Sequence, residues 1–153
     1  MPRSLTANDQ AELIEVLNLI QTNFAYMNGR IDPPSSMHRL NLDSLCQHCR
    51  TGEIWTLGRP VQACLFLSPR KDCLYLGKLA VAEASRERGL ARQLVEIASR
   101  RAQELGLAAL ELQSRIELVE NHRAFARLGF KKTAETAHPG YEHATSITMR
   151  YEI

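Results

Sequence analysis

The residues with the clearest chemical potential form one short segment, Arg86-Glu87-Arg88-Gly89-Leu90-Ala91, which Arg92 follows. Its arginines carry forked donors that suit phosphate oxygens. Glycine at position 89 lets an anion approach the backbone without meeting a Cβ. If a helix begins here, its first N–H groups lack intrahelical partners and attract negative charge. The segment is therefore a candidate cradle for a pyrophosphate, although a solvated, arginine-rich turn fits the same residues.

The residues on either side supply the elements that would position this segment. The run 74–81 is mostly apolar, with Gly77 and Lys78 as interruptions, and it predicts a buried strand. A helix is predicted after the loop, because apolar residues recur on one face and Gly106 stands where a C-terminal cap belongs. The residues of that face are Leu90, Leu94, Val95, Ala98, Ala102 and Leu105.

The pattern Arg86-x-x-Gly89-x-Ala91 after an apolar strand, with Leu128-Gly129-Phe130 further along, resembles the GNAT acetyltransferase superfamily. It is not a Walker loop, since no Gly-Lys-Ser/Thr follows, and it lacks the first glycine of a dinucleotide fingerprint. The resemblance implies that the loop binds the pyrophosphate of acetyl-CoA and that Leu-Gly-Phe ends a helix beside the acyl group. It is specific over residues 74–131, whereas over residues 1–70 only the order of elements agrees.

For the whole chain, the resemblance implies a single GNAT acetyltransferase domain over residues 1–153. The fold class is α/β (α+β), with a GNAT-type mixed, mostly antiparallel twisted sheet of about six to seven strands and helices on both faces. The strand backbone before the loop would pair with the pantetheine arm and give an N–H to the thioester carbonyl. The expected acetyl-CoA contacts are Leu79, Ala80, Val81, Arg86, Glu87, Arg88, Gly89, Leu90, Ala91, Arg92, Asn121 and Phe125.

Acid–base chemistry is where this chain departs from the family. Acetyl transfer to an alkyl amine requires that its ammonium, with a pKa near ~10, lose a proton. Many relatives have a tyrosine where this chain has Phe125, and some have a glutamate where it has Gln113. The remaining catalytic candidates are Tyr75, whose strand parity with Leu79 indicates that it faces the cleft, and His122, close to the acyl end. A half-buried strand aromatic and a solvated helix histidine are the simpler interpretations of these two residues.

Two loops are expected to choose the acceptor, one from Asn28 to His38 and one over residues 138–143. Arg30 and Tyr141 are the candidate substrate contacts. A carboxylate-bearing amine could use Arg30, whereas a polyamine could use Asp32 or Glu142. The mixture of charges leaves the acceptor undefined.

Composition favours a soluble globular protein of 153 residues, since 44% of them are hydrophobic and 24% are charged. A net charge of +2 is too small to argue for nucleic acid as a partner. No apolar run is long enough to span a bilayer, and the first residues lack the apolar segment of a signal peptide. We therefore expect a cytoplasmic protein that does not bind membranes, with a homodimer as an open possibility.

Four cysteines are present, and Cys46-Gln-His-Cys49 has the spacing of a redox or zinc motif. Cys64 and Cys73 fall in apparent strands and do not form a second close pair. We expect all four to be reduced and to serve as small apolar residues, with no bound metal.

Hydrophobic periodicity predicts four helices and six strands along the chain. The helices are expected over residues 7–27, 40–50, 90–105 and 119–128. The first helix should bury Leu13, Ile14, Leu17, Ile20 and Phe24, and the last should turn Phe125 and Leu128 inward. The strands are expected over residues 53–57, 60–67, 74–81, 107–114, 130–135 and 146–151.

These expectations favour an acetyl-CoA-dependent N-acetyltransferase that acts on a primary amine of a small molecule or peptide by direct attack in a ternary complex. The replacements at Phe125 and Gln113 leave a second possibility, a non-catalytic acyl-CoA-binding or regulatory module. A third is transfer to a protein N-terminus or lysine, which an open, flat acceptor cleft would favour. Neither the acyl chain length nor the acceptor follows from the sequence.

Overall fold

The computed structural model describes residues 2–25, 29–33 and 39–153. The helices are α1 (Gln10–Phe24), α2 (Leu42–Thr51), α3 (Leu90–Glu104) and α4 (Val119–Arg127), and a 3₁₀ turn (Glu83–Ser85) precedes α3. The strands are β1 (Pro2–Ser4), β2 (Glu53–Leu57), β3 (Ala63–Pro69), β4 (Cys73–Val81), β5 (Ala109–Arg115), β6 (Lys131–Thr136) and β7 (Ser146–Glu152).

These strands form one sheet in the order β1-β2-β3-β4-β5-β7-β6. Every neighbouring pair is antiparallel except β4 and β5, which run parallel. The sheet carries helices on both faces, because α3 and α4 pack on one apolar core and α1 and α2 on another. The expected mixed, mostly antiparallel sheet with helices on both faces is thus confirmed.

Most predicted elements appear within three residues of their expected bounds, and the start of β3 at Ala63 rather than at position 60 is among the larger shifts. The short edge strand β1 was not predicted, and α1 begins at Gln10 rather than at position 7. The predicted end of that helix, at Met27, lies outside the described residues. Ile14 and Leu105 were expected in the core but are 46% and 41% exposed. Ile14 lies at the margin of the apolar stripe of α1, and Leu105 is the residue that follows the last turn of α3.

A β-bulge in β4 decides which side chains reach the site. Phe66 pairs with Lys78 and Leu67 pairs with Leu76, so Gly77 is an extra residue on β4. A bulge of this kind reverses the alternation of side chains along a strand. Leu76 and Leu79 therefore both pack on the core under α3, although a regular strand would place them on opposite faces.

This bulge overturns one inference from the sequence. Tyr75 alternates with Leu74 and Leu76, which are buried under α3. It therefore lies on the opposite face of the sheet, with Lys78 and Ala80. The expectation that Tyr75 shares a face with Leu79 was wrong, because it assumed an unbroken two-residue period.

The two parallel strands stay together for only a short distance. Their paired residues are Cys73 with Ala109, Leu74 with Leu110, and Tyr75 with Glu111. Within the described parts of the chain, the pairing does not extend past Tyr75, although β4 continues to Val81 and β5 to Arg115. The sheet therefore divides at its centre, and among the strands in the described ranges only β3 pairs with the second half of β4.

Candidate active site

A cavity of about 930 Å³ lies where β4 and β5 divide. Its walls come from β4 over residues 75–81, from β5 over residues 112–115, and from the C-terminal part of α1 over residues 22–24. Asn121, Ala124 and Phe125 of α4 close another side. The volume falls in the range typical of small-molecule and cofactor sites.

At one end of this cavity, helix α3 begins without a capping side chain. Gly89 is its N-cap residue, in the left-handed conformation with φ of 76°, and no side chain of the described residues caps the helix there. The first intrahelical bond runs from the Gln93 N–H to the Gly89 carbonyl at 3.0 Å. The amides over residues 90–92 therefore have no acceptor within the helix, and they carry the positive end of its dipole.

The space in front of those amides accommodates an anion. A Cβ built on Gly89 would meet nothing within 4 Å. Ala91, two residues further on, lines the cavity with its small side chain. Arg86 also lines the cavity, and its Nη2 donates to Asn23 Oδ1 of α1 at 2.9 Å. Free amides, open space and an oriented guanidinium together fit a pyrophosphate group.

The structure brings most of the expected acetyl-CoA contacts to one place. Seven of them line the cavity: Leu79, Ala80, Val81, Arg86, Ala91, Asn121 and Phe125. The other five, Glu87, Arg88, Gly89, Leu90 and Arg92, continue from this wall around the start of α3. Phe125 is half-buried and stacks edge-on against Phe130, with ring centroids 5.8 Å apart.

Tyr75 lies in the cavity wall despite its reversed parity, and two groups restrain it. The Arg70 guanidinium stacks on its ring at 3.7 Å from the centroid. Burial raises the pKa of the Tyr75 hydroxyl, while Arg70 and a hydrogen bond with the Gln113 backbone oppose that rise. With its pKa raised, the hydroxyl stays protonated at neutral pH, so it can donate a proton but cannot remove one from an ammonium.

His122, the other catalytic candidate, lies away from Tyr75. Its Nε2 is 2.8 Å from the Arg115 carbonyl oxygen. Its ring lines a separate groove of about 520 Å³ with Phe130 and Met149. The structure therefore does not bring the two candidates together, and we assign no catalytic role to His122.

The two candidate substrate contacts belong to one set of cross-links beside the cavity, which we call the clasp. Its members are Arg30, Asp32, Pro33, Arg115, Glu117, Glu120 and Tyr141. Arg30 makes a two-pronged ion pair with Glu120, at 2.7 and 3.2 Å, and lowers the pKa of that carboxyl through its hydrogen bonds. The Tyr141 hydroxyl donates to Asp32 Oδ1 at 2.7 Å. The Asp32 N–H donates to Glu117 Oε2 at 3.1 Å.

A further bond of the clasp, from Arg115 Nη1 to the Pro33 carbonyl at 2.7 Å, ties the same loop to β5. The clasp thus joins the loop over residues 29–33 to α4, β5 and the loop before β7. Asn28 and His38, the ends of the predicted specificity loop, lie outside the described residues.

Lys78 is a cavity residue that the sequence pattern does not single out as a functional candidate. In the sequence it interrupts an apolar strand. It is half-buried in the cavity wall, and burial lowers the pKa of its ammonium. A single lysine within an otherwise apolar strand was the signal that could have found it, since an isolated buried lysine has few structural uses.

The four cysteines are free thiols, and Cys46 and Cys64 pack in the core under α1 and α2. Over residues 2–25, 29–33 and 39–153, no group of three or more His, Cys, Asp or Glu side chains is arranged to hold a metal ion. Among the helices in these ranges, none has both the length and the apolarity of a bilayer span.

Comparison with known proteins gives a family match over most of the chain. Residues 18–130 match the acetyltransferase (GNAT) family. Curated protein sequences gave no match.

Many solved structures share the fold at low sequence identity. One is a PaiA N-acetyltransferase from Thermoplasma acidophilum in complex with coenzyme A, with a TM-score of 0.80, 11% identity, and coverage of 100% of this chain and 98% of that one. A GNAT family acetyltransferase from Elizabethkingia anophelis with acetyl-CoA bound has a TM-score of 0.69 and 16% identity, covering 100% and 97% of the two chains. The ribosomal-protein-S18-alanine N-acetyltransferase from Escherichia coli has a TM-score of 0.69 and 17% identity, covering 100% and 94%.

Proposed function

Since the chain belongs to the acetyltransferase (GNAT) family, we propose that it moves an acetyl group from acetyl-CoA to a primary amine of a small molecule or short peptide. The amine attacks the thioester directly in a ternary complex. The observation that carries the proposal is the uncapped start of α3, which opens into a cavity that follows β4 where it leaves β5.

The amides over residues 90–92 and the guanidinium of Arg86 hold the pyrophosphate. The pantetheine arm lies along the half of β4 that β5 leaves unpaired, with Leu79 and Val81 beneath it, and Asn121 and Phe125 enclose it from α4. The solved relatives that contain coenzyme A and acetyl-CoA support this choice of co-substrate.

The clasp supports a small acceptor. It ties the loop over residues 29–33 to Glu120 and Arg115 of the cavity wall and to Tyr141. A loop held beside the cavity leaves less room for a folded protein surface than for a short or slender amine. Arg30 and Tyr141 therefore shape the acceptor entrance and hold its loop in place, and they are not its primary ligands.

The test is a search for acetylated product by mass spectrometry. Purified protein and acetyl-CoA are incubated with benzylamine, putrescine, glutamate, a dipeptide and a folded protein with a free N-terminus. We expect product from at least one small amine and none from the folded protein. Binding of CoA by calorimetry without any product would instead favour an acyl-CoA-binding module, and product from the folded protein alone would favour a protein acetyltransferase.

A cytoplasmic location and a single domain over residues 1–153 remain parts of this proposal, as does a possible homodimer. Each is open to direct measurement by cell fractionation, limited proteolysis and sedimentation.

A further inference from the structure

The proposed reaction needs a group that removes a proton from the acceptor, and most ionisable side chains of the cavity are already engaged. Glu120 is paired with Arg30, and the His138 ring is hydrogen-bonded through Nδ1 to the Thr145 hydroxyl. Glu83 lies in the 3₁₀ turn at the cradle end, beyond the last residue of β4. Arginine side chains keep their protons at any working pH.

Lys78 differs from these residues in two ways: it lies at the dividing point of β4 and β5, and it has no carboxylate partner among the described residues. It follows the bulged Gly77, just past the point where β4 loses β5 as a neighbour. Its Nζ lies 5.4 Å from the centroid of the Phe66 ring. A cation–π contact at this distance favours the ammonium, but burial outweighs it and lowers the pKa of Lys78. Among the described residues, no carboxylate lies within ion-pair distance of it.

The titratable groups that face Lys78 carry no negative charge at neutral pH, so they do not stabilise its ammonium form. They are His48 from α2 and Cys64 from β3. Burial, with help from Lys78, lowers the pKa of His48, and burial raises the pKa of Cys64 to about 12, so both are neutral at pH 7. With no anion beside it, the ammonium of Lys78 loses its proton more readily than a surface lysine does.

We propose that Lys78 is the catalytic base, taking a proton from the acceptor ammonium beside the dividing point of β4 and β5. This inference rests on the acetyltransferase function proposed above. The acceptor ammonium gives one proton to the neutral Nζ, and its nitrogen then forms a bond to the thioester carbonyl carbon. As the C–S bond breaks, coenzyme A leaves as a thiolate, and the new amide nitrogen releases its second proton to water. The thiolate takes the proton from the Lys78 ammonium, which restores the neutral amine.

Two substitutions distinguish a proton-accepting role of Lys78 from a role of its positive charge alone. Lys78→Met removes the amine, whereas Lys78→Arg keeps the positive charge but cannot accept a proton at working pH. We expect both variants to lose about 10²-fold or more of kcat/KM with benzylamine at pH 7, while their Kd for CoA stays within about twofold of the parent value. The same changes at Lys71, an exposed lysine in the turn before β4, serve as controls and should leave both quantities unchanged.

The outcomes distinguish the role of Lys78 from the proposed function itself. Product formation that survives in Lys78→Arg and fails only in Lys78→Met would overturn the base and assign Lys78 to binding an anionic group. Survival in both variants would overturn it as well. Absence of product with the unchanged protein would contradict the acetyltransferase function from which this role follows.

A second readout does not require turnover. The chain has four lysines, Lys71, Lys78, Lys131 and Lys132, so ¹³Cε-lysine labelling gives four signals. With CoA bound, we expect the Lys78 signal, assigned by its loss in Lys78→Arg, to titrate about one pH unit or more below that of Lys71. A midpoint equal to that of Lys71 would overturn the proposal.

Discussion

Gly129 marks the turn from α4 into β6, and the side chain of Tyr151 fills the space beside it. Its φ is 108°, and an added Cβ would lie 2.6 Å from Tyr151 Cε2. The turn also places Phe130 in the core, where its ring packs against those of Phe125 and Tyr151. The glycine of the Leu-Gly-Phe motif is therefore required both by backbone conformation and by lack of room.

The change Gly129→Ala should lower the free energy of unfolding by about 2–4 kcal/mol, since backbone strain and steric overlap add. Gly140→Ala is the matched control, because Gly140 also has a positive φ, 86°, but has nothing within 4 Å of its added Cβ. The change Gly140→Ala should lower the free energy of unfolding by only about 1–2 kcal/mol. Denaturant titration measures both, and equal losses would show that Tyr151 exerts no steric limit.

Individual site residues could be predicted unevenly from the sequence. The cradle at Arg86 and Gly89 was found, because phosphate binding depends on residue types at a fixed local spacing. The face of Tyr75 was predicted wrongly and Lys78 was passed over. The error at Tyr75 comes from the extra residue at Gly77, which becomes visible only when β4 is paired with β3. Lys78 did leave a local signal, because it is a single lysine within an apolar strand.

Helix α3 is fixed to the sheet at its far end by a charged group on β2. Glu53 accepts from Arg101 Nε at 2.9 Å and from Arg101 Nη2 at 2.7 Å, and it also accepts from Trp55 Nε1 at 2.7 Å. The hydrogen bonds from Arg101 lower the pKa of Glu53 against the effect of burial. The Glu53 side chain is only 19% exposed, so the pair is largely shielded from solvent.

The change Glu53→Gln should lower the free energy of unfolding by about 1–3 kcal/mol at pH 7, because Arg101 would lose a charged acceptor. The pKa of Glu53 is depressed in the folded state, so its contribution is present above the unfolded-state pKa of ~4.3 and is lost as the pH falls through the folded-state pKa. The difference between parent and variant should therefore shrink on acidification.

Glu104→Gln is the control for this prediction. Glu104 also pairs with Arg101, at 3.3 Å, but its side chain is 61% exposed. Its removal should change stability by less than about 0.5 kcal/mol. Thermal unfolding measured between pH 3 and pH 7 tests both variants, and a loss in Glu53→Gln that does not vary with pH would contradict this account.

The clasp is an element-scale feature that governs the acceptor entrance. In Tyr141→Phe, the hydroxyl that donates to Asp32 is removed, and the loop over residues 29–33 loses one of its ties. We expect KM for the acceptor to rise by about threefold or more, while Kd for CoA is unchanged, because the cradle lies at the other end of the cavity. Tyr151→Phe, which alters a tyrosine outside the clasp, should leave both constants at parent values. A matched rise in the Kd for CoA would place Tyr141 in the cofactor site.

Elements with a clear period were the most predictable part of the fold. Helix α3 and strand β2 agree with expectation to within a residue, because the amphipathic period and the Gly106 and Gly58 boundaries are local signals. Strand β1 could not be predicted, since its three residues gain strand geometry only from pairing with β2. The clasp could not be predicted from the sequence either, because Asp32 and Tyr141 are far apart in the chain and meet only in the folded structure.

At the scale of the whole molecule, one seven-stranded sheet is divided over part of its length between β4 and β5. Antiparallel pairing joins β1 to β4 on one side and β5 to β6 on the other, and the single parallel junction between the halves comes apart after three pairs. Cores on both faces hold the halves in place while the gap between them remains. The short parallel pairing of β4 with β5 therefore accounts for the gap between the halves of the sheet and for the cavity that lies there. The uncapped start of α3 follows β4 at one end of this cavity. The mixed sheet follows from the family resemblance, whereas the division depends on long-range pairing that no local pattern records.

The central claim is that coenzyme A rests its pyrophosphate against the amides that follow Gly89, and calorimetric titration with CoA tests it most directly. Asn tolerates a positive φ, so Gly89→Asn should fold and place a side chain in the open space before those amides. Gly106→Asn is the matched control, since Gly106 has φ of 71°, has equally open surroundings and follows the opposite end of α3. We predict that Gly89→Asn weakens CoA binding by about tenfold or more, which is about 1.4 kcal/mol, and that Gly106→Asn leaves it unchanged. Equal CoA affinity in the two variants and the parent protein would contradict the account.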